Sequence, residues 1–195
     1  MDGNRIFEFS GNSSNETGIE IGNLTVSRDV VLNLAGETDT GIGVGQSAGN
    51  HLTVSDNGRF NVVGAATGRG TGVKIGGSIS TSGGGRLNIR GVSGSGTGVV
   101  LQGAITVSGG TLEIVGSSTG GTGVELGGDI HTASNGTTDI TGNSDTGTGV
   151  QFDGTINTSD NGTASLTGNS NSGAGIINNG TVIGKLRICD NGKPQ

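Results

Sequence analysis

The 195-residue chain has no Trp and no Tyr, four Phe, and one residue each of Pro, Cys and Met. Each scarcity excludes something. A chain with a single Pro and no three-residue glycine period cannot form a collagen-like triple helix. The lone Cys189 rules out an intramolecular disulfide and leaves the redox compartment undecided. With so few aromatic rings there is little to stack on bases, and a net charge of −6 has the wrong sign for holding phosphates, so nucleic acid is not an expected partner. No apolar run approaches the ~20 residues needed to span a bilayer. The N-terminus MDGNRIFEFS carries no signal-like apolar stretch. Leu, Ile, Val and Phe together number 46, just above the share at which a chain stays disordered, so any core must be thin.

What abounds is glycine, 44 residues, roughly three times ordinary usage. Glycine at this frequency without a short period calls for a test of longer self-similarity. The phrase Thr-Gly-Val/Ile, or a near variant, recurs at Thr17, Ile42, Thr71, Thr97, Thr122, Thr148 and Ala174, at intervals of 25, 29, 26, 25, 26 and 26 residues. Within each interval, three short segments alternate apolar and polar residues, the mark of a strand with one buried face. One coil shows all three pairs: Val99/Leu101, Ile105/Val107 and Leu112/Ile114. A Gly follows the third pair by two residues in six coils, at Gly36, Gly64, Gly91, Gly116, Gly142 and Gly168. Helical spacing of apolar residues is interrupted by glycine throughout.

Three strands this short cannot make a local hairpin sheet and still turn every apolar pair toward one core. Stacking the repeats does so, each strand pairing in parallel with its counterpart about 4.8 Å away along the axis. The expectation is an all-β fold: a right-handed parallel β-helix, or solenoid, of about seven coils of ~26 residues with three short strands per coil. Its hand is taken from the rule for parallel crossovers. Gly, Asn, Asp and Ser would form the corners, where positive φ is tolerated. Phe7/Phe9 and Leu186/Ile188 continue the third pair at the two ends. Residues 1–195 are thus expected to be one β-helix domain, part of a longer solenoid, with 189–195 an irregular tail.

The stretch GTGVVLQGAITVSGGTLEIVGSSTGGTGVELGGDI, residues 96–130, resembles the β-helical shafts of filamentous haemagglutinin-type adhesins. These are Gram-negative exoproteins of the two-partner secretion kind, and autotransporter passenger domains are similar. The resemblance covers about residues 5 to 188. It implies a secreted or cell-surface virulence protein that acts in cell adhesion, or as a stalk for another domain, and passes an outer-membrane transporter during export. Its partners would be host or bacterial surface glycans or proteins.

Glu113 and Asp139 should lie on neighbouring coils as a carboxylate pair, the requirement of a polysaccharide-cleaving enzyme. Their column is otherwise Asn33, Asn61, Asn88, Ser165 and Arg187, and a solvated polar face outweighs catalysis. His51 and His131 fall two or more coils apart on the second face, without the Cys or His that would complete a zinc set. Asp56-Asn57-Gly58 and Asp160-Asn161-Gly162 read as turn formers rather than as a calcium signature. Thr25/Ser27, Thr53/Ser55, Ser80/Ser82 and Thr106/Ser108 form a hydroxyl grid like those of ice-binding solenoids, decaying at His131/Ala133. Residues 59–90 carry five bases and no acid, whereas 113–160 carry seven acids and no base. Asn-x-Ser/Thr sequons stand at Asn12, Asn15, Asn23, Asn135, Asn157, Asn161 and Asn179. No catalytic, cofactor-binding or metal-ligating residue is assigned, no cofactor is expected, and the expected role is a non-enzymatic one.

Overall fold

The computed structural model describes residues 5–191 and the backbone of residues 193 and 194. Every regular element in them is a β-strand, and successive strands join three sheets in rotation. Sheet A holds eight parallel strands: Ile6–Ser13, Val31–Thr38, Arg59–Ala66, Arg86–Ser93, Thr111–Ser118, Thr137–Ser144, Thr163–Ser170 and Leu186–Asp190. Sheet B runs from Ile19–Ile21 to Ile176–Asn178, and sheet C from Leu24–Val26 to Thr181–Ile183, each of seven parallel strands. One coil visits B, C and then A, as in Val99–Leu101, Ile105–Ser108 and Thr111–Ser118. The chain is therefore a three-sided parallel solenoid of about seven turns, as the repeat requires.

Sheet A is in register from coil to coil, so Gly11, Gly36, Gly64, Gly91, Gly116, Gly142 and Gly168 lie opposite one another. The three apolar pairs become inward columns, from Phe60 and Val62 through Leu87 and Ile89 to Leu112 and Ile114 on sheet A. Burying each such side chain contributes on the order of 2 kcal/mol. A one-residue slip would turn a whole column outward, which fixes the register strongly.

Five inward positions depart from this pattern: Gln46, Thr81, Thr132, Thr138 and Thr158. Gln46 is buried where its column neighbours are Ile21 and Ile75. Its Nε2 donates to the Gly22 carbonyl at 3.2 Å, while its Oε1 has no partner. The chain from Gln46 to the next inward residue, Leu52, is two residues longer than the equivalent Ile75-to-Ile79 step. Thr81 is fully buried between Val54 and Val107 with its hydroxyl unpartnered. Thr132, by contrast, shares a 2.7 Å hydrogen bond with Thr138 on the adjoining sheet.

The corners are built in two ways. Between sheets A and B, two glycine columns face each other. A Cβ on Gly36, Gly64, Gly91, Gly116, Gly142 or Gly168 would be driven into the carbonyl of Gly43, Gly72, Gly98, Gly123, Gly149 or Gly175. None of these glycines has positive φ. The requirement at this corner is thus close approach of backbone to backbone and not the positive φ that corner residues tolerate. Between sheets C and A, left-handed pairs make the turn: Arg28-Asp29, Asp56-Asn57, Ser134-Asn135 and Asp160-Asn161, with Gly83-Gly84 in the same place. The N–H of Gly58 closes onto the Ser55 carbonyl, and that of Gly162 onto the Ser159 carbonyl, each at 2.7 Å.

Beside the glycine columns runs a column of hydroxyls, buried at Thr38, Ser93, Ser118 and Ser144 and half-buried at Ser170. Ser93, Ser118, Ser144 and Ser170 each accept the N–H of a glycine three residues on, at 2.9 Å. Each donates to a glycine carbonyl of the preceding coil, of Gly70, Gly96, Gly121 and Gly147, at 2.7–2.8 Å. Thr38 makes the same two bonds, from Gly41 at 3.1 Å and to Glu16 at 3.0 Å. The column breaks at Ala66, in the one coil where the run to the Thr-Gly-Val glycine is a residue longer.

At the C-terminal side, the expected irregular segment 189–195 begins instead as strand. Cys189 and Asp190 belong to Leu186–Asp190, and Lys193–Pro194 pairs with it antiparallel. Residues 192 and 195 lie outside the described residues.

Candidate interaction surfaces

Because strand side chains alternate, the outer face of sheet A carries four columns, and their contents follow from the register. One reads Glu8, Asn33, Asn61, Asn88, Glu113, Asp139, Ser165 and Arg187. Its first half is an amide ladder. Asn33 donates to the Glu8 carboxylate at 3.2 Å, Asn61 to Asn33 at 2.8 Å, and Asn88 to Asn61 at 3.1 Å. Glu113 and Asp139 follow as register neighbours, as the repeat spacing implied. Both project from the same open face of adjacent strands, Glu113 half-buried and Asp139 exposed. A glycosidase pair flanks its bond from two sides, so this arrangement presents two anions to solvent without walls around a substrate.

A second outward column reads Ile6, Val31, Arg59, Arg86, Thr111, Thr137 and Thr163. Arg59 and Arg86 are directly opposite on neighbouring strands, where like charges repel. Arg90 projects from the same face, between Val63 and Val115. Three of the five bases, Arg59, Arg86 and Arg90, and two of the seven acids, Glu113 and Asp139, thus share one face of sheet A on adjacent strands.

Where sheet A turns toward sheet B, a polar groove of about 320 Å³ runs over several coils. It is lined among others by Ser117, Thr119, Asn143, Asp145, Asn169 and Asn171. Asn169 donates to Asn143 at 3.0 Å, and Asn171 to the Asp145 carboxylate at 3.1 Å. Amides and carboxylate stacked at the strand spacing offer repeated donor and acceptor positions to a hydroxyl-rich ligand. Sequence reasoning did not single out this groove. Its signal was the Asn and Asp flanking the buried serines, at Asn143, Asp145, Asn169 and Asn171.

Sheet C carries the hydroxyl grid. Thr25, Thr53, Ser80 and Thr106 align coil after coil, followed by His131 and Asn157. The parallel column pairs Ser82, Ser108 and Ala133, and Ala133 is buried. His51 stands in register with Ser78, whose hydroxyl lies 2.6 Å from its Nδ1, and so occupies a different column from His131. Among the described residues, no three His, Cys, Asp or Glu gather into a metal-binding group. Nor is any helix there long and apolar enough to cross a membrane.

A scan against protein-family models, a search of curated proteins and a search of solved structures found no match for this chain.

Proposed function

We propose that the chain is a structural or adhesive β-helix segment of a secreted or cell-surface protein of a Gram-negative bacterium, acting without catalysis. The observation behind this reading is the in-register stacking of coils. It turns single side chains into columns of Asn, Asp, Ser and Thr repeated at the strand spacing, a periodic display suited to long, hydroxyl-rich surface glycans or to protein surfaces. The groove with Asn143, Asp145, Asn169 and Asn171 is the first place to look for such contacts. Export through an outer-membrane transporter fits a chain with one Cys, since no disulfide would form before passage.

Binding of the labelled chain to epithelial and bacterial cells tests the reading, with a neutral polysaccharide such as mannan as competitor. Saturable binding, weakened about tenfold by Asn143→Leu/Asn169→Leu, is expected. Absence of saturable binding to either cell type would sink it. The register of Glu113 with Asp139 favours a second reading, a polysaccharide-cleaving enzyme. Turnover of acidic or neutral polysaccharide that disappears in Glu113→Gln would replace the adhesive reading with this one.

A further inference from the structure

The outer face of sheet A is an unpartnered surface that carries Arg59, Arg86 and Arg90 beside Glu113 and Asp139, and its columns can be compared with themselves in reverse. We infer that it is a self-complementary docking surface on which a second copy of this chain lies antiparallel. The inference goes beyond the adhesive reading and does not depend on any receptor.

A two-fold axis in the interface, parallel to the strands and midway between Arg86–Ser93 and Thr111–Ser118, keeps each column facing its own copy and reverses the order of coils. The fourth strand then meets the fifth, the third meets the sixth, and the first meets the eighth. Down the Asn/Asp column, Asn88 faces Glu113 of the second copy, Asn61 faces Asp139, and Glu8 faces Arg187. Each of these is a donor against an acceptor or a base against an acid. Arg59 and Arg86 face Thr137 and Thr111 of the other copy, one outward column from its Asp139 and Glu113 and within reach of long arginine arms.

Neighbouring registers fail. Moving the axis onto Arg86–Ser93 sets Arg86 against Arg86 and Arg90 against Arg90. Moving it onto Thr111–Ser118 sets Glu113 against itself. Half a coil further in either direction, Arg59 meets Arg86, or Glu113 meets Asp139. Like charges face to face reject these alternatives, so the charge pattern selects one alignment. That alignment is also the one in which all eight strands overlap. Eight strands at ~4.8 Å spacing and ~20 Å of strand length give roughly 700 Å² per copy. A standard stable interface uses about 800 Å² per partner. Val63 and Val92, both exposed on this face, would be covered by it.

Light scattering and sedimentation of the full chain at about 100 μM test the inference. The expected mass in low salt is twice the 19.0 kDa of one chain. Raising salt from about 50 to 500 mM should weaken the dimer about tenfold or more, because Arg59 and Arg86 reach diagonally to Asp139 and Glu113 of the other copy. Arg59→Glu/Arg86→Glu and Glu113→Arg/Asp139→Arg should each be monomeric, and an equimolar mixture of the two should form a heterodimer. A monomeric wild type, a dimer indifferent to salt, or a mixture that does not pair would each overturn it.

Discussion

The two glycine-rich corners of each coil look alike in sequence and differ in physics. Where sheet A meets sheet B, glycine is needed because the next backbone occupies the space a Cβ would take. Where sheet C meets sheet A, it is one of several residues able to hold a left-handed conformation, and Asp, Asn, Ser and Arg take its place in other coils. The first corner tolerates no side chain at all. The second tolerates any residue whose polar group can support positive φ at modest strain. Counting glycines therefore says little about a solenoid until each is placed at one corner or the other.

Substitution can break this comparison. Gly91→Ala, which aims a methyl at the Gly98 carbonyl, is expected to destabilise by about 3 kcal/mol or more, read as a lowered denaturant midpoint. Beside it, Ser118→Ala strips the Gly121 N–H and the Gly96 carbonyl of their shared hydroxyl, with an expected loss of about 2 kcal/mol. If Ser118→Ala were neutral, the hydroxyl column would be a bystander to the glycine packing. Thr81→Val offers the opposite sign. It replaces a buried hydroxyl without a partner by a methyl flanked by Val54 and Val107, and should stabilise by about 1 kcal/mol in the same measurement. At the other corner, Gly83→Asn should change stability by no more than about 0.5 kcal/mol, since Asp56 holds the same left-handed place one coil earlier. A loss as large as that of Gly91→Ala would erase the distinction between the corners.

Much of the fold was legible because a period of two and a repeat of about 26 residues leave few ways to bury every apolar pair. The pairs Val99/Leu101, Ile105/Val107 and Leu112/Ile114 occupy the three sheets as expected. The column of Glu113, Asp139 and Arg187 was equally readable, since in-register stacking follows from the repeat spacing. The hydroxyl column was not. Ser93, Ser118, Ser144 and Ser170 are a few among many hydroxyl residues, and only the three-residue step to a following glycine marks them. Gln46 escaped notice because apolar pattern reading passes over a polar residue, although its buried place is fixed by register with Ile21 and Ile75. The complementarity of sheet A with its own reversed copy is invisible to a linear reading, because it relates residues that never approach within one chain.

The buried hydroxyls have a further consequence. Hydrogen bonds within a parallel sheet point alternately to either side, so their dipoles largely cancel along the axis of stacking. Those of the serine column do not alternate. The Ser118 hydroxyl points to Gly96 of the coil before, and the Ser144 hydroxyl to Gly121 of the coil before that serine's own. The glycine that receives one bond sends its own N–H to the next serine, from Gly121 through Ser118 to Gly96 and through Ser93 to Gly70. Bonds chained in one sense polarise one another. Over the coils from Ser170 back to Ser93 the bonds thus share one direction along the rod, in a protein whose described residues contain no helix. Two copies lying antiparallel would set these directions against each other.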